Sequence, residues 1–117
     1  MKYLILFLVS FSVYAFEVWE GQTATLSCTE IDGYESGDPL RADDIITYKL
    51  YRDNVEIAQQ MTCSFGLDSN VAGSFVYHVT AHSSFYNNES IPSNTAPVNV
   101  QVKQRPKSPA GITVTLN

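Results

Sequence analysis

Hydrophobic and polar residues alternate over most of the chain, and turn-forming residues interrupt the alternation at short intervals. A period of two puts every second side chain on one face, so each alternating run predicts a strand with one buried and one solvated side. Residues 16–20 alternate loosely and stop at Gly21. Residues 23–29 alternate cleanly, with Ala24, Leu26 and Cys28 on one face. The polar, turn-rich stretch 30–44 reads as a long loop. Ile46, Tyr48 and Leu50 then share a face. Asp53 and Asn54 tolerate the positive φ of a tight hairpin turn, after which residues 55–58 return. Cys63, Phe65 and Leu67 share a face within residues 62–67. The most regular run lies at 75–81, with Phe75, Tyr77, Val79 and Ala81 inward, and Val98, Val100 and Val102 close the series. No useful helix-period stretch occurs after the first fifteen residues. Seven short strands with turns between them predict an all-β fold, a seven-stranded sandwich of antiparallel sheets.

The first fifteen residues follow another pattern. Lys2 precedes the run Tyr3-Leu4-Ile5-Leu6-Phe7-Leu8-Val9, and apolar character continues to Ala15. A basic start, a short apolar core and small residues before a cut describe a secretory signal, with cleavage expected after Ala15 in Val13-Tyr14-Ala15. A retained anchor helix is the competing reading, but a span needs about 20 apolar residues. Glu17 and Glu20 end this run sooner. The expected destination is the periplasm or the extracellular space, with no membrane span after cleavage.

Length and charge narrow the picture. The 117 residues make about one domain, and 44% hydrophobic content is enough for one core. The expected division is a signal at 1–15, a sandwich at 16–102 and a tail at 103–117. The formal net charge is −5, unevenly spread. Residues 16–102 carry Arg41, Lys49 and Arg52 against all 12 acids, whereas the tail carries Lys103, Arg105 and Lys107 and no acid. An acidic body argues against nucleic acid as a partner, because phosphate binding needs clustered cations.

Four segments carry a resemblance. Ala24-Thr25-Leu26-Ser27-Cys28, the run Ile46 to Ala58 with its hairpin Tyr51-Arg52-Asp53-Asn54-Val55, the run Ala72 to Ala81, and Asn88-Glu89-Ser90-Ile91-Pro92-Ser93-Asn94 resemble a fibronectin type III module of the bacterial and phage kind. The resemblance spans residues 16–102. It implies an immunoglobulin-like fold with two antiparallel sheets, A-B-E and C-C′-F-G. An immunoglobulin domain fits less well, since the buried Trp of strand C is missing. Two positions depart from the family. Cys28 stands where strand B usually carries Trp. Phe75 stands where strand F usually carries the Tyr of the tyrosine corner, so that hydrogen bond is lost although the ring still fills space. The resemblance makes strands B and E neighbours, so a Cys28–Cys63 bridge is geometrically feasible, and export supplies an oxidising compartment. Two buried free thiols are the alternative.

Chemistry-bearing residues are sparse. His78 and His82 both alternate outward on one strand, about 13 Å apart, too far for one metal to take both. No nucleophile elbow or phosphate loop occurs, and no nucleophile, base and orienter assemble, so no catalysis and no cofactor are expected. Asp32, Glu35, Asp38, Asp43 and Asp44 crowd one loop, but their spacing matches no EF-hand and reads as solvated, so no metal site is assigned. Asn88-Glu89-Ser90 fits a glycosylation acceptor and reads first as a turn. Tyr34, Tyr51, Phe85 and Tyr86 lie in or beside loops, where they either cap the end of the sandwich or anchor a sugar or protein partner.

In the tail, prolines and cations make a stiff linker, and then Ile112, Val114 and Leu116 alternate with threonines. That stretch resembles the opening strand of a following module. It is expected to pair on its own sandwich, to self-associate through residues 108–117 at a neighbouring edge, or to fray. The expected function is a secreted or periplasmic, non-catalytic binding or adhesion module for a protein or carbohydrate at the cell surface. The alternative is an assembly subunit, an envelope or virion accessory, joined through its C-terminal strand.

Overall fold

A computed structural model describes residues 15–117, so the expected signal segment lies outside the described residues but for Ala15. The chain is all-β. Its strands are β1 (Phe16–Trp19), β2 (Ala24–Ser27), β3 (Ile46–Arg52), β4 (Val55–Gln60), β5 (Ser64–Leu67), β6 (Gly73–Ser83), β7 (Asn88–Glu89) and β8 (Ala96–Gln101). One sheet runs β1-β8-β6-β3-β4, with β7 also paired to β6, and the other holds β2 and β5. Among the described residues no helix is long and apolar enough to cross a membrane.

The alternation explains the core. Tyr48 and Leu50 of β3, Tyr77 and Val79 of β6, and Val98 and Val100 of β8 point inward and are buried. Cys63 and Phe65 meet them from the smaller sheet, joined by the half-buried Ala24 and Leu26. Large side chains at every second position bury one face of each sheet, and removal of that surface from water is the main drive to fold. The β3–β4 hairpin turns at Asp53 and Asn54, with φ of 50° and 69°. The turn is pinned to β6: Asp53 N–H donates to Val76 O at 2.8 Å, and Val76 N–H donates to the Asp53 carboxylate at 3.0 Å.

The structure departs from expectation in several places. The described residues form eight strands, not seven, because Asn88 and Glu89 in the expected turn pair with Ser83 and His82 as β7. β1 does not lie beside β2. It runs parallel to β8, with Val18 opposite Val100. Glu20 N–H extends this ladder to Gln101 O, and Asn99 donates to the Glu17 carboxylate at 3.0 Å. The turn closed by Gln22 N–H on Trp19 O, with Gly21 at φ 80°, then carries the chain across to the other sheet. Val102, expected inward, is 62% exposed because β8 ends at Gln101. Thr80 alternates outward but is buried, since the outer face of β6 is covered there. The tail forms no strand, and Ile112, Val114 and Leu116 are each at least 90% exposed.

Cys28 and Cys63 form a disulfide with Cα atoms 5.3 Å apart, just past β2 and just before β5. Cys28 N–H also donates to Cys63 O, so the bond extends the β2–β5 ladder covalently. Closing a 35-residue separation restricts the unfolded chain by about 4 kcal/mol in the chain-entropy description. Denaturant unfolding of the C28A/C63A double variant is expected to show a stability loss of that order. Thiol titration of the denatured, unreduced protein should find no free thiol.

Candidate functional site

At one end of the fold the loop 30–44 meets the turn after β6, and Asp44 joins them. Its Oδ2 accepts from the Tyr34 hydroxyl and the Ser83 hydroxyl, each at 2.6 Å. Its Oδ1 accepts from Phe85 N–H at 3.0 Å and the Ser84 hydroxyl at 3.2 Å. Partial desolvation pushes this carboxyl up, but the donors from Ser83, Tyr34, Phe85 and Ser84 outweigh it and hold it well below the usual carboxylate range. Desolvation and the bond to Asp44 in turn raise the Tyr34 phenol.

Three of the aromatic residues singled out from the sequence meet here. Tyr86 packs edge-on against Tyr34 at 5.3 Å and against Phe85 at 4.8 Å between ring centroids. The Arg41 guanidinium lies 3.8 Å above the Phe85 ring and is held by Asp43 at 2.9 Å. Phe85 and Tyr86 remain 47% and 56% exposed, so they are fixed from below and open above.

Tyr51 does not join them. It stands on the outer face of the larger sheet, stacked on His78 at 4.7 Å, its cross-strand neighbour. Its hydroxyl donates to Glu89 at 2.6 Å, and the Thr80 hydroxyl donates to the same carboxylate at 2.6 Å. Lys49 reaches Glu89 at 3.4 Å. The Thr80 and Tyr51 bonds, with Lys49 beside them, hold the Glu89 carboxyl below its ordinary value, and Glu89 raises the Tyr51 phenol. This cluster is what covers Thr80.

Between the 30–44 loop and residues 88–94 lies an open cleft of about 1070 Å³. Its floor is the inner face of β3 and β6, with Ile46, Tyr48, Val79 and Ala81. Glu35, Asp38 and the 75% exposed Ile91 stand along its walls. The loop is tied down on the core side: Ile31 N–H donates to the Tyr48 hydroxyl at 2.9 Å, and Cys63 N–H donates to Glu30 at 3.1 Å.

The loop acids act separately. Asp43 pairs with Arg41, Asp38 accepts from Ser36, and Asp44 is satisfied by four donors. Among the described residues no three His, Cys, Asp or Glu gather as metal ligands. Sequence reasoning missed Asp44, Ser83, Ser84 and Arg41 as the frame under the aromatic end. The available signal was Ser83-Ser84 directly before Phe85-Tyr86, a pair of short donors beside exposed rings. Compared with family models, curated proteins and solved structures, the chain gives no match.

The depressed Asp44 carboxyl makes stability depend on pH. Its contribution is fully present above about pH 4, the unfolded value, and is lost as pH falls toward the lower folded value. Thermal unfolding of Asp44→Ala against the wild type is expected to show its largest deficit at neutral pH, and the gap should shrink below about pH 4.

Proposed function

We propose that the chain is an exported, non-catalytic binding module of fibronectin type III-like, immunoglobulin-like sandwich architecture, acting at the cell surface. The strand neighbours β8-β6-β3-β4 and β2-β5 support this reading, since they follow the order G-F-C-C′ and B-E. The position of β1 beside β8 is the departure. The Cys28–Cys63 bridge supports an oxidising compartment. The carboxylates with the most hydrogen bonds, Asp44 and Glu89, serve as anchors for neighbouring donors, which supports a role in contact and not in proton transfer.

The observation that carries the reading is the aromatic end. Phe85 and Tyr86 are exposed rings on a hydrogen-bonded frame, and rigid aromatic anchors lose little entropy on binding. Arg41 covers one face of Phe85, and the other rings meet edge-on, so no flat platform is offered to a sugar. A protein partner fits this surface better than a glycan. Binding of labelled protein to native cell envelopes should fall at least ten-fold in F85A/Y86A, with the unfolding midpoint kept. Unchanged binding would remove the aromatic end from the contact.

A second reading is supported by the tail. Ile112, Val114 and Leu116 form a strand pattern exposed along its whole length, which suits an assembly subunit joined through that strand. Removal of residues 108–117 is expected to reduce the mass in solution to that of one chain. An unchanged mass would exclude joining through the tail.

A further inference from the structure

β2 has a partner on one side only, β5. Cys28 N–H donates to Cys63 O, and Leu26 and Ala24 stand in the same phase of the ladder. Thr25, Ser27 and Thr29 therefore turn their N–H and C=O groups to the opposite edge. No strand lies there among the described residues, because β1 pairs with β8. The core beneath this edge is incompletely covered. Ala24, Leu26 and Cys28 stay half-exposed, while Tyr48, Val79 and Ala81 of the facing sheet are buried. The open cleft starts at the same place, from Cys28 and Thr29. β1 lies along β8 beside the lower half of β6, with Phe16 opposite Val98 and Val98 opposite Phe75, so it does not reach the Val79–Ser83 half over which the cleft opens.

We infer that the free edge of β2 takes residues 112–116 of a second copy of the chain as an added strand. This rests on the assembly reading above and names the surface that receives the tail. The two segments have one pattern: Ala24-Thr25-Leu26-Ser27-Cys28 and Ile112-Thr113-Val114-Thr115-Leu116 both alternate apolar and hydroxyl residues. Paired edge to edge, Ile112, Val114 and Leu116 turn inward beside Ala24, Leu26 and Cys28 and cover the open flank. Thr113 and Thr115 turn outward beside Thr25 and Ser27, where Thr–Thr and Thr–Ser neighbours are favourable across strands. Main-chain bonds supply the affinity and the alternate side chains the register. The charges agree. The tail carries three cations and no acid, and the cleft walls carry Glu35 and Asp38. The segment is free to be given: past Lys103, whose N–H donates to Glu20, no tail residue hydrogen-bonds to the body. Pro106 and Pro109 keep the connection extended. Donor and acceptor are different surfaces, so each copy gives one strand and receives one.

The test uses the full chain, expressed with its own N-terminal segment and recovered after export, with sedimentation mass as the readout. V114D blocks giving, at a position that is 90% exposed. T25P blocks receiving, since it removes an N–H on the free edge and none from the β2–β5 ladder. I91K, on an exposed wall of the cleft, is a second block that leaves the fold alone. The wild type is expected to assemble, and V114D, T25P and I91K each to sediment as one chain. Equal amounts of V114D and T25P should form a complex of two chains, since one can only receive and the other only give. If V114D is a single chain while T25P and I91K assemble like the wild type, the tail still joins copies but the β2 edge is not its receiver. If V114D assembles like the wild type, or the wild type is itself a single chain, both the inference and the assembly reading fail. Slow amide exchange at 112–116 in such a single chain would place the strand on its own body.

Discussion

Every backbone donor and acceptor of β6 needs a partner, and the way its outer edge is satisfied shapes the rest of the molecule. One edge is taken by β3 from Tyr77 to Ser83, with Arg52 opposite Tyr77 and Ile46 opposite Ser83. The other edge is shared. β8 covers only Gly73 to Tyr77. Above that, two serines carry the ladder as far as β7, which pairs with His82 and Ser83. Val79 N–H donates to the Ser93 hydroxyl at 3.0 Å while Ser93 N–H donates back to Val79 O at 2.9 Å. Ala81 and Ser90 repeat the exchange at 2.9 and 2.8 Å. A hydroxyl thus stands in for a carbonyl twice, and Ile91 and Pro92 are left between the two closures, with Ile91 75% exposed. An orphaned N–H there would cost about 1–3 kcal/mol. The cleft over Val79 and Ala81 exists because serines, and not a continuing strand, close this edge.

Asp44 solves the same problem for the loops. A charged acceptor makes stronger hydrogen bonds than a neutral one, and a single carboxylate here gathers Tyr34, Ser83, Ser84 and Phe85 N–H from two separate stretches of chain. The aromatic end inherits its rigidity from that carboxylate. Tyr86 N–H also donates to the Ser83 hydroxyl at 3.1 Å, so the backbone under both exposed rings is bonded to the same frame. Glu89 does similar work on the outer face, where it ties Tyr51, Thr80 and Lys49 of three strand positions to β7. Both carboxylates are anchored by short hydroxyl donors, and both lie at the places where strands hand over to loops.

Alternation made the strands and most of their inward residues legible, because a two-residue period leaves one choice of face once a core exists. The hairpin was legible for a different reason: Asp53 and Asn54 are residue types that accept positive φ. What alternation does not carry is which sheet a short strand joins. Val18 points inward whether β1 lies on β2 or β8, and the choice is made by bonds from Glu20 to Gln101 and from Asn99 to Glu17, far apart in sequence. The burial of Thr80 was hidden for the same reason, since its cover comes from Tyr51 and Glu89 on other strands. Tyr51 was grouped with three loop aromatics because residue type does not say on which side of a sheet a ring stands. Asp44 was one acid among five in a polar loop, and only its place beside β3, facing Ser83, distinguishes it.

The uneven charge acquires a structural meaning from the position of β1. Residues 16–102 carry nine more acids than cations, so two bodies repel when they approach face to face. Screening confines that repulsion to about a Debye length, roughly 8 Å at physiological salt, which is still enough to disfavour flat contact between like surfaces. The tail has the opposite sign to residues 16–102, and it carries its apolar residues at strand spacing beyond the cations. The free β2 edge combines unpaired backbone with half-covered apolar side chains. In the proposed assembly, charge brings tail to body and keeps body from body. Hydrogen-bond directionality and the match of apolar to hydroxyl positions then select the edge. Neither would suffice alone, because cations without a strand pattern would smear over an acidic surface, and a strand pattern without cations would meet a repelling partner no faster than any other chain.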